Sequence, residues 1–387
     1  MPGAPPDRDK TEVSPDGTDG RPAAAFAGVP VLITGGLGFI GSTLAHRLVG
    51  LGARVTLVDS MLPGAGGNLA NVADIRDRVQ INISDVRDPN SLPYLVQGQA
   101  YLFNLAGQVS HIDSMTDPMT DLEINCRSQL SILEACRRHN PEIAVVYTAT
   151  RQQYGRPEYL PVDERHPLHA IDVNGINKTA GERYHILYHQ VYGLRATSLR
   201  LTNTYGPRML IRHGRQTALG WLIRQAVAGE QIELFGDGGQ RRDFNYVEDV
   251  VDALLLAATH EEANGEIFNL GGEPVSLRRA VETLLDVAGG GGGYRLAPFP
   301  PERKAIDIGD VFADYTKIAT TLGWRPRVSL REGLARTVAF YRAHWAEYVD
   351  EAAGEPIDGA ASGDGQGGRS QDPAGEPRGG AASGVRR

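Results

Sequence analysis

Residues 31–42 read VLITGGLGFIGS, an apolar run rich in β-branched side chains that passes straight into Gly35, Gly38 and Gly41, spaced three apart. A tight turn from strand to helix needs a residue that tolerates positive φ, and Gly35 supplies it. Gly38 lets the backbone approach a pyrophosphate, and Gly41 lets the following helix lie close on the strand. The helix then opens at Phe39 and Ile40, where free N–H groups and the positive end of the helix dipole face a phosphate. A glycine triplet alone is equally a plain tight turn. Here a second strand, RVTLVD, ends in Asp59, 18 residues beyond Gly41. A carboxylate at that point accepts both ribose hydroxyls of an adenosine and repels a 2′-phosphate, so the expected dinucleotide is NAD rather than NADP.

Working outward, two more strand ends suit the same cofactor. SDVRD places Asp85 and Val86 where an acid and an apolar side chain could flank an adenine, a solvated turn residue being the equally open reading of Asp85. NLAGQ ends a strand in Leu105, Ala106 and Gly107, an edge over which a dinucleotide passes closely. The series continues with AVVYTAT and RATSLRLTN as strands, separated by long helical patterns. Apolar runs covered on both faces, alternating with amphipathic helices, predict an α/β fold with a Rossmann-like doubly wound parallel sheet.

After about residue 206 the rhythm loosens, and a smaller C-terminal substrate-binding domain is expected over 206–348, following an NAD-binding domain over 28–205. The ends, 1–27 and 349–387, are Gly, Pro, Ser, Ala and charge, and are expected to be disordered because they cannot bury enough apolar surface. The run Gly289–Gly293 reads as a flexible loop.

Composition excludes several classes. The chain has 387 residues, of which 39 are Lys or Arg and 47 Asp or Glu, giving a net charge of −8 with both signs interspersed. A nucleic-acid binder carries a basic face, so no nucleic-acid partner is expected. No apolar run reaches membrane-spanning length, and the first residues lack the apolar core of a secretory signal. The two cysteines, Cys126 and Cys136, have no CxxC spacing, which points to the reducing cytoplasm. His185 and His189 lie one helical turn apart, but no third ligand stands at metal spacing, so no metal is expected.

With the glycine turn, NLAG, RQQYG, Lys178 and LRLTNTYGPR in hand, the chain resembles the extended short-chain dehydrogenase/reductases, the NAD-dependent nucleotide-sugar epimerases and dehydratases. The resemblance covers roughly residues 29–345. The stretches LAGQVSHIDSMTDPMTDLEIN and GWLIRQAVAGEQIELFGDGGQRRDF look most like epimerases of the CDP-tyvelose 2-epimerase kind, and TNTYGPRM is similar in style to UDP-glucuronate decarboxylases. It implies a nucleotide-diphosphate sugar held between the two domains and oxidised transiently by bound NAD. It also implies a homodimer built on the helices that follow NLAGQ and carry Lys178.

In that family a Tyr four residues before a Lys takes the hydroxyl proton, the Lys lowers the Tyr pKa and holds the nicotinamide ribose, and a Ser or Thr orients the hydroxyl. The resemblance puts Thr150 in the Ser/Thr place, Lys178 in the Lys place and Asn174 in the Tyr place. An amide hydrogen-bonds but does not accept a hydroxyl proton. Three readings follow. Asn174 positions the sugar or a water while His111, Tyr154 or Lys178 moves the proton; or the substrate supplies the acid or base; or the protein is a non-catalytic NAD-binding module. A dehydratase or decarboxylase is the alternative within the family. On the substrate side the resemblance gives Asn203 a contact near the diphosphate and Arg242 the role of diphosphate clamp, for which a guanidinium fork is suited. A surface ion pair with Glu248 is the competing reading of Arg242, and His111 joins the substrate-binding set.

Overall fold

Pro30–Thr34 forms β1 in a computed structural model that describes residues 21–290, 292–299 and 308–349. Its side chains alternate between two covered faces, Val31 and Ile33 entering one core and Leu32 the other. That double burial needs helices on both sides of a parallel sheet. The strands that follow are β2 (Arg54–Asp59), β3 (Val79–Ile83), β4 (Tyr101–Asn104), β5 (Ala144–Thr150) and β6 (Arg195–Leu201). Later come β7 (Asn203–Tyr205), β8 (Ile232–Phe235), β9 (Arg241–Tyr246), β10 (Ile267–Asn269), β11 (Pro274–Ser276) and β12 (Tyr294–Ala297).

Seven strands make one sheet in the order β10-β6-β5-β4-β1-β2-β3, every neighbouring pair parallel. The expected doubly wound sheet is therefore present. The chain steps from β1 out to β3, then crosses back to β4, so the winding reverses between β1 and β4. Crevices at the carboxyl ends of strands, where the winding reverses, are where such sheets bind ligands.

The helices are α1 (Arg21–Phe26), α2 (Phe39–Gly50), α3 (Leu92–Val96), α4 (His111–Thr116), α5 (Pro118–Leu122), α6 (Ser128–His139) and α7 (Val173–Tyr192). They continue with α8 (Ala218–Ala228), α9 (Val247–Thr259), α10 (Leu277–Ala288) and α11 (Leu330–Ala343). Leu44 and Leu48 of α2 and Val250 and Leu254 of α9 pack on one face of the sheet. Ile132, Leu133 and Cys136 of α6 and Tyr188 of α7 pack on the other.

The stretch beyond residue 205 divides its material. α9 and β10 return to the large sheet, whereas Ile223 of α8, Val281 and Leu284 of α10, Leu334 and Val338 of α11 and Ile232 and Leu234 of β8 form a smaller separate core. Gly289 caps α10 in the left-handed region at φ +55°. The expectation of a disordered start does not hold for residues 21–27. Arg21–Phe26 is helical and Phe26 is fully buried, its ring 4.9 Å from that of Tyr101, because one aromatic anchor is enough to fix a short Ala-rich turn. The expected disorder of 1–20 and of 350–387 lies outside the described residues.

Candidate active site

The glycine turn is shaped by two close approaches. Gly35 sits at φ +67°, and a Cβ there would meet Ala106 N at 3.0 Å, so β1 and β4 converge on this residue. A Cβ on Gly41 would lie 2.1 Å from Gly35 O, which is why α2 can start against the turn only with glycine there. Gly38 is the N-cap of α2 and Phe39 and Ile40 open the helix. Asp59, at the end of β2, is tied to this turn: Leu37 N–H donates to Oδ2 at 3.1 Å and Met61 N–H to Oδ1 at 3.0 Å. Burial pushes its carboxyl above the ordinary value despite those two bonds. A carboxylate has acceptor capacity beyond two bonds, so ribose hydroxyls can still be met.

The end of β4 is pinned by Thr34, whose hydroxyl donates to Asn104 Oδ1 at 2.9 Å and accepts from the N–H groups of Leu105 and Ala106 at 3.1 and 3.2 Å. A Cβ on Gly107 would stand 2.8 Å from Lys178 Nζ and 3.0 Å from Asn125 Oδ1. That oxygen is buried with no hydrogen-bond partner among the described residues. The cradle therefore fits NAD: side chains are missing at the turn and at Gly107, where a dinucleotide must come close to the backbone. At the end of β3, Val86 is buried, while the Asp85 carboxylate is gripped by Arg87, Nη2 to Oδ2 at 2.6 Å. That bond holds Asp85 below the usual carboxylate range, so it is an ion-paired group rather than a solvated turn residue.

α7 is started by Asp172, whose Oδ1 accepts from Gly175 N–H at 2.7 Å. Gly175 lets the helix abut the turn after β5, since a Cβ on it would meet Gln152 O at 2.9 Å. Lys178 follows Asn174 by one helical turn, and both are buried. Lys178 Nζ donates to Thr148 O at 3.1 Å and lies 5.0 Å from the centre of the Tyr147 ring. Burial pushes the ammonium down to about 8, opposed by the Asp121 carboxylate. Asn174 Nδ2 donates to Gln108 O at 2.7 Å and to Asp121 Oδ2 at 3.0 Å, and Asn177 Nδ2 donates to Asp121 Oδ1 at 2.8 Å. Thr150, at the end of β5, accepts from Gln152 N–H at 3.3 Å, which leaves its own O–H as a donor.

His111 opens α4 and stands between two elements of the same site. Its Nδ1 is hydrogen-bonded to Asp172 Oδ2 and its Nε2 faces Gln152 Nε2. Further along the crevice Asn203 Oδ1 accepts from Arg151 Nη2 at 3.2 Å, and Asn203 Nδ2 donates to Asp243 O at 2.9 Å. Arg242 Nη1 donates to Arg241 O at 2.8 Å and to Gly309 O. Glu248, an acid near Arg242 in sequence, pairs with Arg336 at 3.1 Å. Thr150 ends β5, His111 opens α4 beyond the end of β4, and Asn174 and Lys178 stand in the first two turns of α7, while Asn203 follows β6 at the start of β7 and Arg242 lies near the start of β9.

Sequence reasoning passed over Arg151, Asp172 and Asp243. Arg151 Nη1 and Asp243 Oδ1 are both buried without a hydrogen-bond partner among the described residues. Burial and the neighbouring Arg242 bring Arg151 down to about 10, and burial pushes Asp243 up to about 6. The available signal was a guanidinium at the very end of an apolar strand, in TATRQQYG.

Other candidates fall away. Tyr154 turns its hydroxyl into the core, donating to Asn269 Oδ1 at 2.7 Å and accepting from Arg200 Nη1 at 2.6 Å, with burial raising it to about 12. Arg200 is in turn held by the buried Glu182 at 2.6 Å. His185 is a core residue that stacks on Tyr147 at 4.3 Å, its Nδ1 against Gly181 O and its pKa lowered by burial to about 4. His189 bonds Leu194 O at 3.0 Å. Among the described residues no His, Cys, Asp and Glu group could hold a metal, and no helix is long and apolar enough to cross a membrane. Trp221 is half-buried beneath the Arg224 guanidinium, 5.2 Å from the ring centre.

Residues 31–271 match the model of a family described as NAD dependent epimerase/dehydratase. The chain is 33% identical over 315 residues to UDP-glucose 4-epimerase of Mycolicibacterium smegmatis, covering 80% of this chain and 98% of that one. Among solved structures it is similar to UDP-glucose 4-epimerase of Thermotoga maritima with UDP-glucose, at 30% identity and a TM-score of 0.74, covering 82% of this chain and all of the other. The Thermus thermophilus UDP-glucose 4-epimerase complex with NAD is also similar, at 30% identity and a TM-score of 0.71, covering 81% and 99%.

Proposed function

The chain belongs to the NAD dependent epimerase/dehydratase family, and from that premise we propose that it is an NAD-dependent epimerase acting on a nucleotide-diphosphate sugar. The observation that carries this reading is the buried Lys178 ammonium, seated against Gly107 where β4 and β5 end and one helical turn from Asn174. NAD, when bound, supplies the acceptor and donor of the hydride. Gly35, Gly38, Phe39, Ile40 and Gly41 offer backbone to its diphosphate, Asp59 holds the adenosine ribose, and Asp85 and Val86 border the adenine. Leu105 and Ala106 lie beneath the dinucleotide and Lys178 holds the nicotinamide ribose. Thr150 orients the sugar hydroxyl through its free O–H. Asn174 transfers no proton, and with both amide hydrogens spent on Gln108 and Asp121 it positions the sugar or a water by accepting at Oδ1. Asn203 and Arg242, with Arg151 beside them, receive the substrate diphosphate.

An epimerase is favoured over a dehydratase by the residues next to Thr150. Elimination of water needs an acid for the leaving hydroxyl, and Arg151 and Gln152 do not supply one. A homodimer is supported by an apolar stripe that has no cover in one chain: Ile176, Leu187 and Val191 on α7 and Met119, Leu122 and Leu130 on α5 and α6 are exposed. The two cysteines stand as free thiols, in keeping with a cytoplasmic location. The test is incubation of the NAD-loaded protein with a panel of nucleotide-diphosphate sugars, followed by NMR of the products. An isomer formed without net redox is expected. No isomer and no reduction of bound NAD across the panel would refute the reading.

A further inference from the structure

With an amide in the place of the phenol, the proton of the sugar hydroxyl needs another acceptor. We propose that His111, held by Asp172, is the acid/base of this active site. The inference rests on the epimerase reading and deepens it.

The case is geometric. His111 is the first residue of α4, and its ring bridges the two segments that carry the rest of the reaction machinery. Nδ1 is turned toward the start of α7, where Asp172 Oδ2 accepts from it, two residues before Asn174. Nε2 is turned toward the turn after β5, where Gln152 lies two residues beyond Thr150. A carboxylate on Nδ1 fixes the tautomer, keeps the proton there and leaves the lone pair of Nε2 pointing at the site. It also stabilises the imidazolium that forms when Nε2 takes a proton, the arrangement that makes a histidine an effective general base.

Asp172 is itself fixed. Its Oδ1 caps α7 through Gly175 N–H at 2.7 Å, and its side chain is only 8% exposed, so the pair cannot drift. The His111 side chain is 38% exposed, so a substrate can reach Nε2 by displacing one amide hydrogen bond. Gln152 suits both protonation states, because an amide presents N–H to a neutral Nε2 and C=O to a protonated one. Its Oε1 is buried without a partner among the described residues, ready for that second role.

In the forward half-reaction the hydroxyl O–H bond breaks and its proton passes to His111 Nε2, giving an imidazolium paired with Asp172. The carbon–hydrogen bond electrons leave the same carbon as hydride to NAD, so the alcohol becomes a ketone and one proton and one hydride are accounted for. In the return half-reaction the hydride goes back to the opposite face of the carbonyl and Nε2 returns the proton to oxygen. The charged and titratable groups around the ring are Asp172 from α7, Asp113 on its own helix, and Arg151 from the turn after β5, whose charge reaches Asp172.

The test compares wild type, His111→Gln and Asp172→Asn as NAD-loaded proteins. His111→Gln is expected to lose about 100-fold or more in kcat with KM for the sugar nucleotide and NAD retention unchanged, the usual scale for a general base. Added imidazole is expected to restore part of it. Independently of turnover, the proton on His111 Nδ1, followed by NMR, is expected to be protected from solvent exchange in wild type and to lose that protection in Asp172→Asn. A kcat within about threefold of wild type in His111→Gln, or an Nδ1 proton equally protected in wild type and Asp172→Asn, would overturn the proposal while leaving the epimerase reading intact. A wild type that turns over no sugar nucleotide would overturn the epimerase reading and this proposal together.

Discussion

Replacing Lys178 by methionine isolates the energetic strain of the site. In the fold the ammonium is buried, and burial lowers its pKa from 10.5 to about 8. A tenfold change in proton affinity corresponds to about 1.4 kcal/mol, so the charged lysine opposes folding by about 3 kcal/mol. A lysine with a folded pKa below its unfolded one exerts that penalty in full below pH about 8, where both states carry the charge. As pH rises from about 8 toward 10.5 the folded state is already neutral, and the penalty fades as the unfolded state loses its proton. The comparison of NAD-free Lys178→Met with wild type should therefore change with pH. Packing and the lost bond to Thr148 O contribute a constant offset, while the titrating part shrinks by about 3 kcal/mol between about pH 7 and the unfolded pKa. Urea unfolding of both proteins across that range, followed by circular dichroism, measures it, because all other groups titrate alike and cancel. Parallel stability curves for the two proteins would refute the assignment of a strained buried ammonium.

Gly41→Ala places a Cβ 2.1 Å from Gly35 O, against backbone that cannot yield, so a loss of about 3 kcal/mol in stability and of retained NAD is expected on unfolding and cofactor assay. Arg151→Gln removes a charge aimed into the crevice beside Asn203 and is expected to raise KM for the sugar nucleotide about 10-fold while NAD retention is unchanged. Leu187→Glu with Val191→Glu puts charge on the exposed face of α7 and is expected to convert the proposed dimer to a monomer by light scattering, with the fold kept by circular dichroism.

The parts of the molecule that the sequence declares most openly are those fixed by local stereochemistry. Gly35 and Gly41 announce a strand turning into a helix because a Cβ would press on Ala106 N at the first and on Gly35 O at the second, and Asp59, at the end of the next strand, is tied to that turn by Leu37 N–H. The parallel sheet follows from β1 and β5 being apolar on both faces. What was not legible is long-range convergence. His111 and Asp172 are 61 residues apart, and Arg151 and Asn203 are 52 apart, so no periodicity or spacing links them. Phe26 is similar: nothing in a Pro- and Ala-rich segment says that its ring will seat against Tyr101.

The environment of Asn174 argues that the amide is built into this site. Two acceptors, Gln108 O at 2.7 Å and Asp121 Oδ2 at 3.0 Å, converge on its Nδ2, which has two hydrogens to give. A group with one hydrogen could serve only one of them, with Gln108 O also accepting from Asn125 Nδ2 at 2.9 Å. The phenolate of a tyrosine, the form needed as a base, would be repelled by the Asp121 carboxylate that here accepts from both Asn174 and Asn177. Position 174 thus suits a double donor and is hostile to an anion. A carboxylate-held imidazole, whose working form is neutral and whose charged form meets Asp172, avoids that conflict. The Asp121 carboxylate thus favours a neutral donor at position 174, and the proposed base stands instead at His111, paired with Asp172.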